Sequence, residues 1–121
     1  MLENKLIEAG NIKVVRCESG DIVIKDGQTA LDFAMSIGYE FNCRNIIINK
    51  SAISEDFFKL STGIAGEVTQ KFVNYRYRIA IVGDFSGYTS NPFKDYMYEC
   101  NNGKHLYFVK DENEALKKLM D

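Results

Sequence analysis

The chain contains no tryptophan, one proline and one histidine among its 121 residues, and its three cysteines lie far apart. So little proline, beside an apolar content of 45%, excludes collagen-like, disordered and low-complexity proteins. No cysteine pair has the C-x-x-C spacing of zinc or redox sites. We therefore expect Cys17, Cys43 and Cys100 to be buried thiols in a reducing cytosol, and we expect neither a metal nor a cofactor.

The chain also lacks an excess of charge of either sign. Its 15 basic and 17 acidic residues leave a net charge of −2. A protein that neutralises nucleic-acid phosphates or anionic lipids needs a basic surface, so neither nucleic acid nor membrane is expected as a partner. No apolar run reaches the roughly twenty residues that cross a bilayer, and residues 1–5 do not resemble a signal peptide. These absences predict a cytoplasmic protein.

What the chain does contain is a series of short apolar runs. Runs at residues 5–8 and 12–17 flank Gly10-Asn11, a dipeptide typical of hairpin turns. Residues 22–24 predict one more short strand. Three later runs are apolar without alternation, as strands buried on both faces require, and they cover residues 45–49, 78–83 and 105–109.

Amphipathic segments fill the intervals between the apolar runs. Asp26 can cap a first helix that we expect to end at Gly38. Apolar residues at every fourth position predict a second helix over residues 64–72. Ser90 precedes a third helix with a proline in its first turn, and Asp111 precedes a fourth.

This alternation of strands and helices predicts an α/β fold in one compact domain over residues 1–121. The sheet should be mixed and mostly parallel, with an N-terminal antiparallel hairpin and about four helices. Two loops, residues 57–66 and 83–91, each follow a central strand and lead into a helix. Both should therefore lie at the same edge of the sheet, where α/β proteins bind ligands.

The first of these loops carries two hydroxyl groups at the start of a helix. Thr62, or Ser61 beside it, is either a helix cap or a phosphorylation site whose phosphate the helix dipole stabilises. Gly63 and Gly66 either offer amides to an anion or allow close packing of the helix on the sheet. In the second loop, Asp84 is either a metal or ribose contact or an acceptor of backbone N–H groups in its own turn.

The same loops hold four aromatic residues, which are Phe57, Phe58, Phe85 and Tyr88. Loop aromatics form protein-binding patches when they face solvent, but Phe57 and Phe58 have the alternative of folding back over the end of the sheet. His105 begins the last strand at the opposite edge, and Cys100 belongs to the apolar face of its helix. This separation predicts no Cys–His nucleophilic pair, and we expect no catalytic constellation.

Several segments resemble the bacterial family catalogued as domain of unknown function 4180. Two of these segments cover residues 60–67 and 79–86, and the blocks Ser-Thr-Gly-Ile-Ala-Gly and Val-Gly-Asp-Phe within them are the most specific. Further matching segments are residues 56–58, 70–72 and 74–76. The resemblance covers nearly the whole chain and implies no activity, because that family has none assigned.

A more distant resemblance is to STAS domains, the fold of anti-sigma-factor antagonists. The order of strands and helices is similar, and so is the Ser-Thr-Gly turn that opens the second main helix. In STAS domains a partner kinase phosphorylates a Ser or Thr beside the Gly, which implies this role for Thr62, with Ser61 next to it. Leu60 stands where the STAS pattern has Asp, and the loop at 48–61 is several residues longer, so the resemblance implies the fold more than the switch.

Three functional hypotheses follow. The first is a non-catalytic regulatory module that binds a protein partner through Phe57, Phe58, Ser61, Thr62, Phe85 and Tyr88. The second is a small-molecule or nucleotide-binding protein, or an enzyme, that uses the amides of Gly63 and Gly87 together with Asp84. The third is a homodimer formed through the edge of the N-terminal strand.

Overall fold

The computed structural model describes residues 2–121, and a single sheet organises them. The five strands stand in the order β1-β2-β3-β4-β5. Strands β1 and β2 are antiparallel, and β2 to β5 are parallel. The elements are β1 (Leu2–Ala9), β2 (Ile12–Ser19), α1 (Gly27–Phe41), β3 (Asn45–Asn49), α2 (Ile64–Tyr75), β4 (Arg78–Val82), α3 (Asn91–Asn101), β5 (Leu106–Val109) and α4 (Glu112–Met120). The predicted α/β class, N-terminal hairpin and four helices are confirmed.

The sheet has a hydrophobic layer on each face. Because parallel connections are right-handed and the strand order is sequential, α1, α2 and α3 share one face, where the larger core cluster lies. The other face packs against α4 through Ala115 and Leu119. Alternate residues of one strand serve the two layers, as in β3, where Ile46 and Ile48 belong to the first cluster and Ile47 to the second.

Local sequence signals place most of the turns and helix starts. The hairpin turns at Gly10-Asn11, with Gly10 at φ +62°, a conformation that costs glycine little. Asp26, Ser90 and Asp111 each accept a backbone N–H bond at the start of α1, α3 and α4. These predictions are confirmed, because a cap depends only on residues three or four positions away.

Two local predictions are wrong for tertiary reasons. Helix α1 does not end at Gly38 but continues to Phe41 and ends at Asn42, which has φ +49°. Gly38 is instead a packing position, since a Cβ there would lie 2.8 Å from the Tyr77 hydroxyl oxygen. Residues 22–24 form no strand, because only Ile24 makes a bridge, to Ile53.

Helix α2 supplies a cap to helix α1. The Glu67 carboxylate accepts a 2.8 Å hydrogen bond from the backbone N–H of Gly27, the first residue of α1. A side chain at position 27 would overlap Glu67, whose Cγ lies 2.4 Å from the place of a Cβ. A carboxylate at a helix N-terminus also complements the helix dipole. Glu67 thus holds the two helices in register.

Among residues 2–121, no helix is long and apolar enough to cross a bilayer.

Replacing Glu67 with alanine is predicted to lower the free energy of unfolding by about 1 kcal/mol, the usual value of a helix cap. Glu67→Gln keeps an oxygen acceptor and should lose less. Gln70→Ala is the matched control, because it removes only an exposed bond to Asn74 on the same helix, worth a few tenths of a kcal/mol. Urea unfolding followed by circular dichroism measures all three, and equal losses in Glu67→Ala and Gln70→Ala would contradict the cap.

Candidate functional site

The two loops predicted to share an edge meet at the carboxyl ends of β3 and β4. The connection after β3 winds through three short 3-10 turns, Lys50–Ala52, Glu55–Phe58 and Leu60–Thr62. The connection after β4 packs against it through ring contacts of Phe58 with Phe85 and Tyr88. We call this contact region, formed by residues 50–63 and 83–90, the rim.

Four aromatic side chains of the rim differ in their exposure. Phe57 is completely buried and Phe58 is 5% exposed. Of the two alternatives that the sequence leaves open, both rings take the inward one, because they fold back and close the end of the sheet. Phe85 and Tyr88 are half-buried. Tyr88 stacks on Phe58 with ring centroids 4.5 Å apart.

A small charged group sits on these rings. The Lys50 ammonium lies 5.0 Å from the Tyr88 ring centroid and 5.4 Å from that of Phe58, within range of cation–π attraction. It also pairs with Glu55 at 3.6 Å, and the Tyr88 hydroxyl donates to both Glu55 carboxylate oxygens at 3.0 Å. The sequence analysis missed Lys50 and Glu55. The available signal was the position of Lys50 directly after a buried parallel strand.

The electrostatics of the group keep Lys50 charged and Tyr88 protonated near neutral pH. The neighbouring Tyr88 oxygen, and after it Glu55, raise the pKa of Lys50. Burial raises the pKa of Tyr88, so that its hydroxyl keeps its proton. A protonated phenol and a charged ammonium are binding groups rather than a poised acid–base pair.

The two hydroxyls at the start of α2 differ in availability. Thr62 directs its hydroxyl to the carbonyl oxygens of Asp56 at 2.9 Å and Lys59 at 2.8 Å. It accepts only a 3.3 Å bond from the N–H of Ile64, and Gly63 occupies the cap position. Both residues are exposed. Because two backbone carbonyls hold the Thr62 hydroxyl, Ser61 has the freer hydroxyl of the two.

The glycines and Asp84 are occupied by the loops themselves. Gly63 has φ +78° and its N–H donates to the Leu60 carbonyl at 3.1 Å. Asp84 accepts a 3.0 Å bond from the N–H of Ser86, and this bond lowers the Asp84 pKa. A Cβ at Gly66 or Gly87 would meet no atom within 4 Å, so close packing does not account for these glycines. Gly63 and Asp84 thus serve their own turns.

A shallow groove of about 460 Å³ opens beside Tyr88. Its walls are mostly apolar, and Ser61 stands in its lining. The lining residues are Phe58, Lys59, Leu60, Ser61, Tyr88, Thr89, Ser90 and Pro92. The rim therefore combines an apolar groove with a free hydroxyl, while Thr62 and Phe57 lie outside that groove.

The histidine and the cysteines of the chain lie outside the rim. His105 lies at the opposite edge, with its Nδ1 3.0 Å from the Tyr77 carbonyl oxygen. Burial raises the pKa of Cys17 to about 12 and also raises that of Cys100. No three side chains among residues 2–121 form a group that could hold a metal ion. Cys17 and Cys100 therefore keep their protons near neutral pH.

Residues 9–119 match the model of the family described as "Domain of unknown function (DUF4180)". No curated protein matches the chain.

The two glycines that open α2 are predicted to respond to alanine with opposite signs. Gly63→Ala puts a side chain at φ +78° and should lower the free energy of unfolding by about 1 kcal/mol. Gly66→Ala adds a methyl group in open space within the helix and should raise it by about 0.5–1 kcal/mol. Urea unfolding of both variants tests this, and a shared sign would refute the difference in backbone conformation.

Cys17 is predicted to resist alkylation in the folded protein. Its pKa of about 12 keeps the thiol protonated at about pH 8, and only 2% of the residue is exposed. Iodoacetamide treatment followed by peptide mass spectrometry should find Cys17 labelled only after unfolding. Labelling of native Cys17 at the rate of the unfolded chain would show that the thiol is not sealed in the core.

Proposed function

We propose that this chain, which belongs to the DUF4180 family, is a non-catalytic regulatory module that binds a protein partner at the rim. The partner places an apolar side chain in the groove between Leu60, Tyr88 and Pro92. The observation that carries the proposal is the groove itself, an apolar surface built on the buried ring of Phe58 and the half-buried ring of Tyr88. Apolar and aromatic patches of this kind are typical of protein interfaces.

Phosphorylation of Ser61 is the proposed switch. Ser61 lines the groove and is exposed, so a kinase can reach it without breaking a helix. A phosphate brings a charge of about −1.5 to −2. In an apolar contact that charge must be desolvated, and this cost lowers the affinity for the partner. Modification would therefore release the partner, the behaviour that the STAS resemblance implies for Thr62, the residue next to Ser61.

The STAS-like fold is part of this proposal. It is supported by the order of elements, an antiparallel hairpin followed by parallel β–α units in sequential strand order. The position of the Ser-Thr-Gly turn at the start of α2 also agrees with it. The longer loop between β3 and α2 is the departure, and here it carries the aromatic residues that build the groove.

The alternative of a nucleotide or small anion bound through Gly63, Gly87 and Asp84 has weaker support. The amide of Gly63 donates to Leu60, and Asp84 accepts from Ser86 in its own turn. Two of the three proposed contacts are therefore used within the chain, and they would have to be released before a ligand could use them.

The test is affinity purification from the native cell with four tagged forms of the full chain. Wild type and Tyr39→Ala should retain the same partner, because Tyr39 is 94% exposed on α1 outside the groove. Ser61→Glu and Thr89→Arg place charge in the groove lining and should lose that partner. Thermal unfolding confirms that all four forms are folded, and intact mass detects one added phosphate on the native protein.

A partner retained equally by all four forms would rule out the groove as its binding surface. If Ser61→Glu retains the partner and Thr89→Arg loses it, binding at the groove stands but the switch fails. Stabilisation of the wild type by a nucleotide, lost in Asp84→Ala, would favour the alternative.

A further inference from the structure

The two edges of the sheet are not equally protected. At the β5 edge the Asn101 side chain binds the backbone of Phe108 as a neighbouring strand would, accepting from its N–H at 2.7 Å and donating to its carbonyl at 3.2 Å. Strand β1 is eight residues long and, among residues 2–121, pairs only with β2. An open edge of this length is a template for another strand.

The hairpin register identifies which backbone groups face outward. Ala9 and Ile12 flank a two-residue turn and so form a hydrogen-bonded pair. Hydrogen-bonded and non-bonded pairs alternate along antiparallel strands. The odd-numbered residues of β1 therefore bind β2, and the N–H and C=O groups of Leu2, Asn4, Leu6 and Glu8 point away from the sheet.

Two charges on this strand oppose like charges within the chain, whereas Glu8 lies opposite Lys13. Glu3 lies directly opposite Glu18, and Lys5 directly opposite Arg16. Like charges in directly opposed positions are destabilising. Glu3 and Lys5 are both exposed, so each is available to an opposite charge on a further strand.

We propose that a second copy of this chain adds to the open edge, with its β1 antiparallel to the first and the twofold axis at Asn4. In this register the outward-facing groups of Asn4 bind those of the partner's Asn4. Leu2 and Leu6 bind each other's backbone across the axis in the same way. Glu3 then lies opposite the partner's Lys5, and Lys5 opposite the partner's Glu3. The result is one ten-stranded sheet.

Charge selects this register over its neighbours. A twofold axis at Glu3 would place the two Glu3 side chains opposite each other, and an axis at Lys5 would do the same with the two Lys5 side chains. Both registers would use the same outward-facing backbone groups as the axis at Asn4. Only the axis at Asn4 brings opposite charges face to face. Leu6, 41% exposed in the single chain, gains an apolar neighbour in Leu2 of the second copy.

Asn4 provides a second, independent observation. Its side-chain carbonyl oxygen is buried and has no hydrogen-bond partner in the described part of the chain, which is costly. On the twofold axis the partner's amide brings the missing donor, and rotation about the soft χ2 torsion of Asn4 aims the oxygen toward it.

The experiment measures association of the full chain by sedimentation equilibrium. Wild type should form a dimer. Glu3→Lys and Lys5→Glu each create two like-charge oppositions per dimer, and each should raise the dissociation constant at least about tenfold. An equimolar mixture of these two variants restores both opposite-charge pairs and should form a heterodimer. Lys94→Glu, an exposed change of the same charge on α3, is the control and should dimerise as wild type does.

A wild-type chain that stays monomeric at the highest concentration reached would overturn the proposal. So would a dimer that both single variants leave unchanged, because it would use another surface. Failure of the mixture to associate would refute the register at Asn4. Circular dichroism of each variant separates loss of pairing from loss of folding.

Discussion

Phe57 anchors the long connection between β3 and α2 to the body of the molecule. Its ring is completely buried and contacts the rings of Phe58, Phe93, Tyr96 and Phe108. These residues come from the connection itself, from α3 and from β5. A connection of this length without a buried anchor would be mobile. Here Phe57, together with the buried Ala52, Ile53 and Phe58, holds three short turns in a defined position at the end of the sheet.

The rim depends on this anchor. With Phe57 in place, Phe58 lies under Tyr88, and Lys50 and Glu55 approach the same ring pair. Binding groups are most effective when packing beneath them fixes their geometry. The groove beside Tyr88 is such a surface, since Phe58 in its lining belongs to the buried core.

Sequence reasoning succeeded where a feature depends on near neighbours along the chain. The caps at Asp26, Ser90 and Asp111 and the turn at Gly10 are of this kind. It failed where the deciding partner is distant: Gly38 faces Tyr77 rather than ending a helix, and the Glu67 cap reaches Gly27 forty positions away.

For the candidate site, too, some features were predictable from the sequence and others depend on distant contacts. Parallel topology was enough to bring the two loops together, because adjacent parallel strands end at one edge. The inward turn of Phe57 and Phe58 was not predictable from residue type, since the same rings suit a core or a surface. The joint position of Lys50, Glu55 and Tyr88 depends on that turn, so it was out of reach as well.

The proposed dimer and the proposed rim interaction are geometrically compatible. A twofold axis perpendicular to the sheet leaves each face continuous, so the α1–α3 layers of both copies lie on one side. Because the paired strands are antiparallel, the carboxyl ends of β3 and β4 point in opposite directions in the two copies. Each rim then lies at its own end of the ten-stranded sheet, away from the β1 contact. Two partners can therefore bind without competing. A single partner with two binding segments would bind with higher affinity only if the linker between its segments spans the sheet.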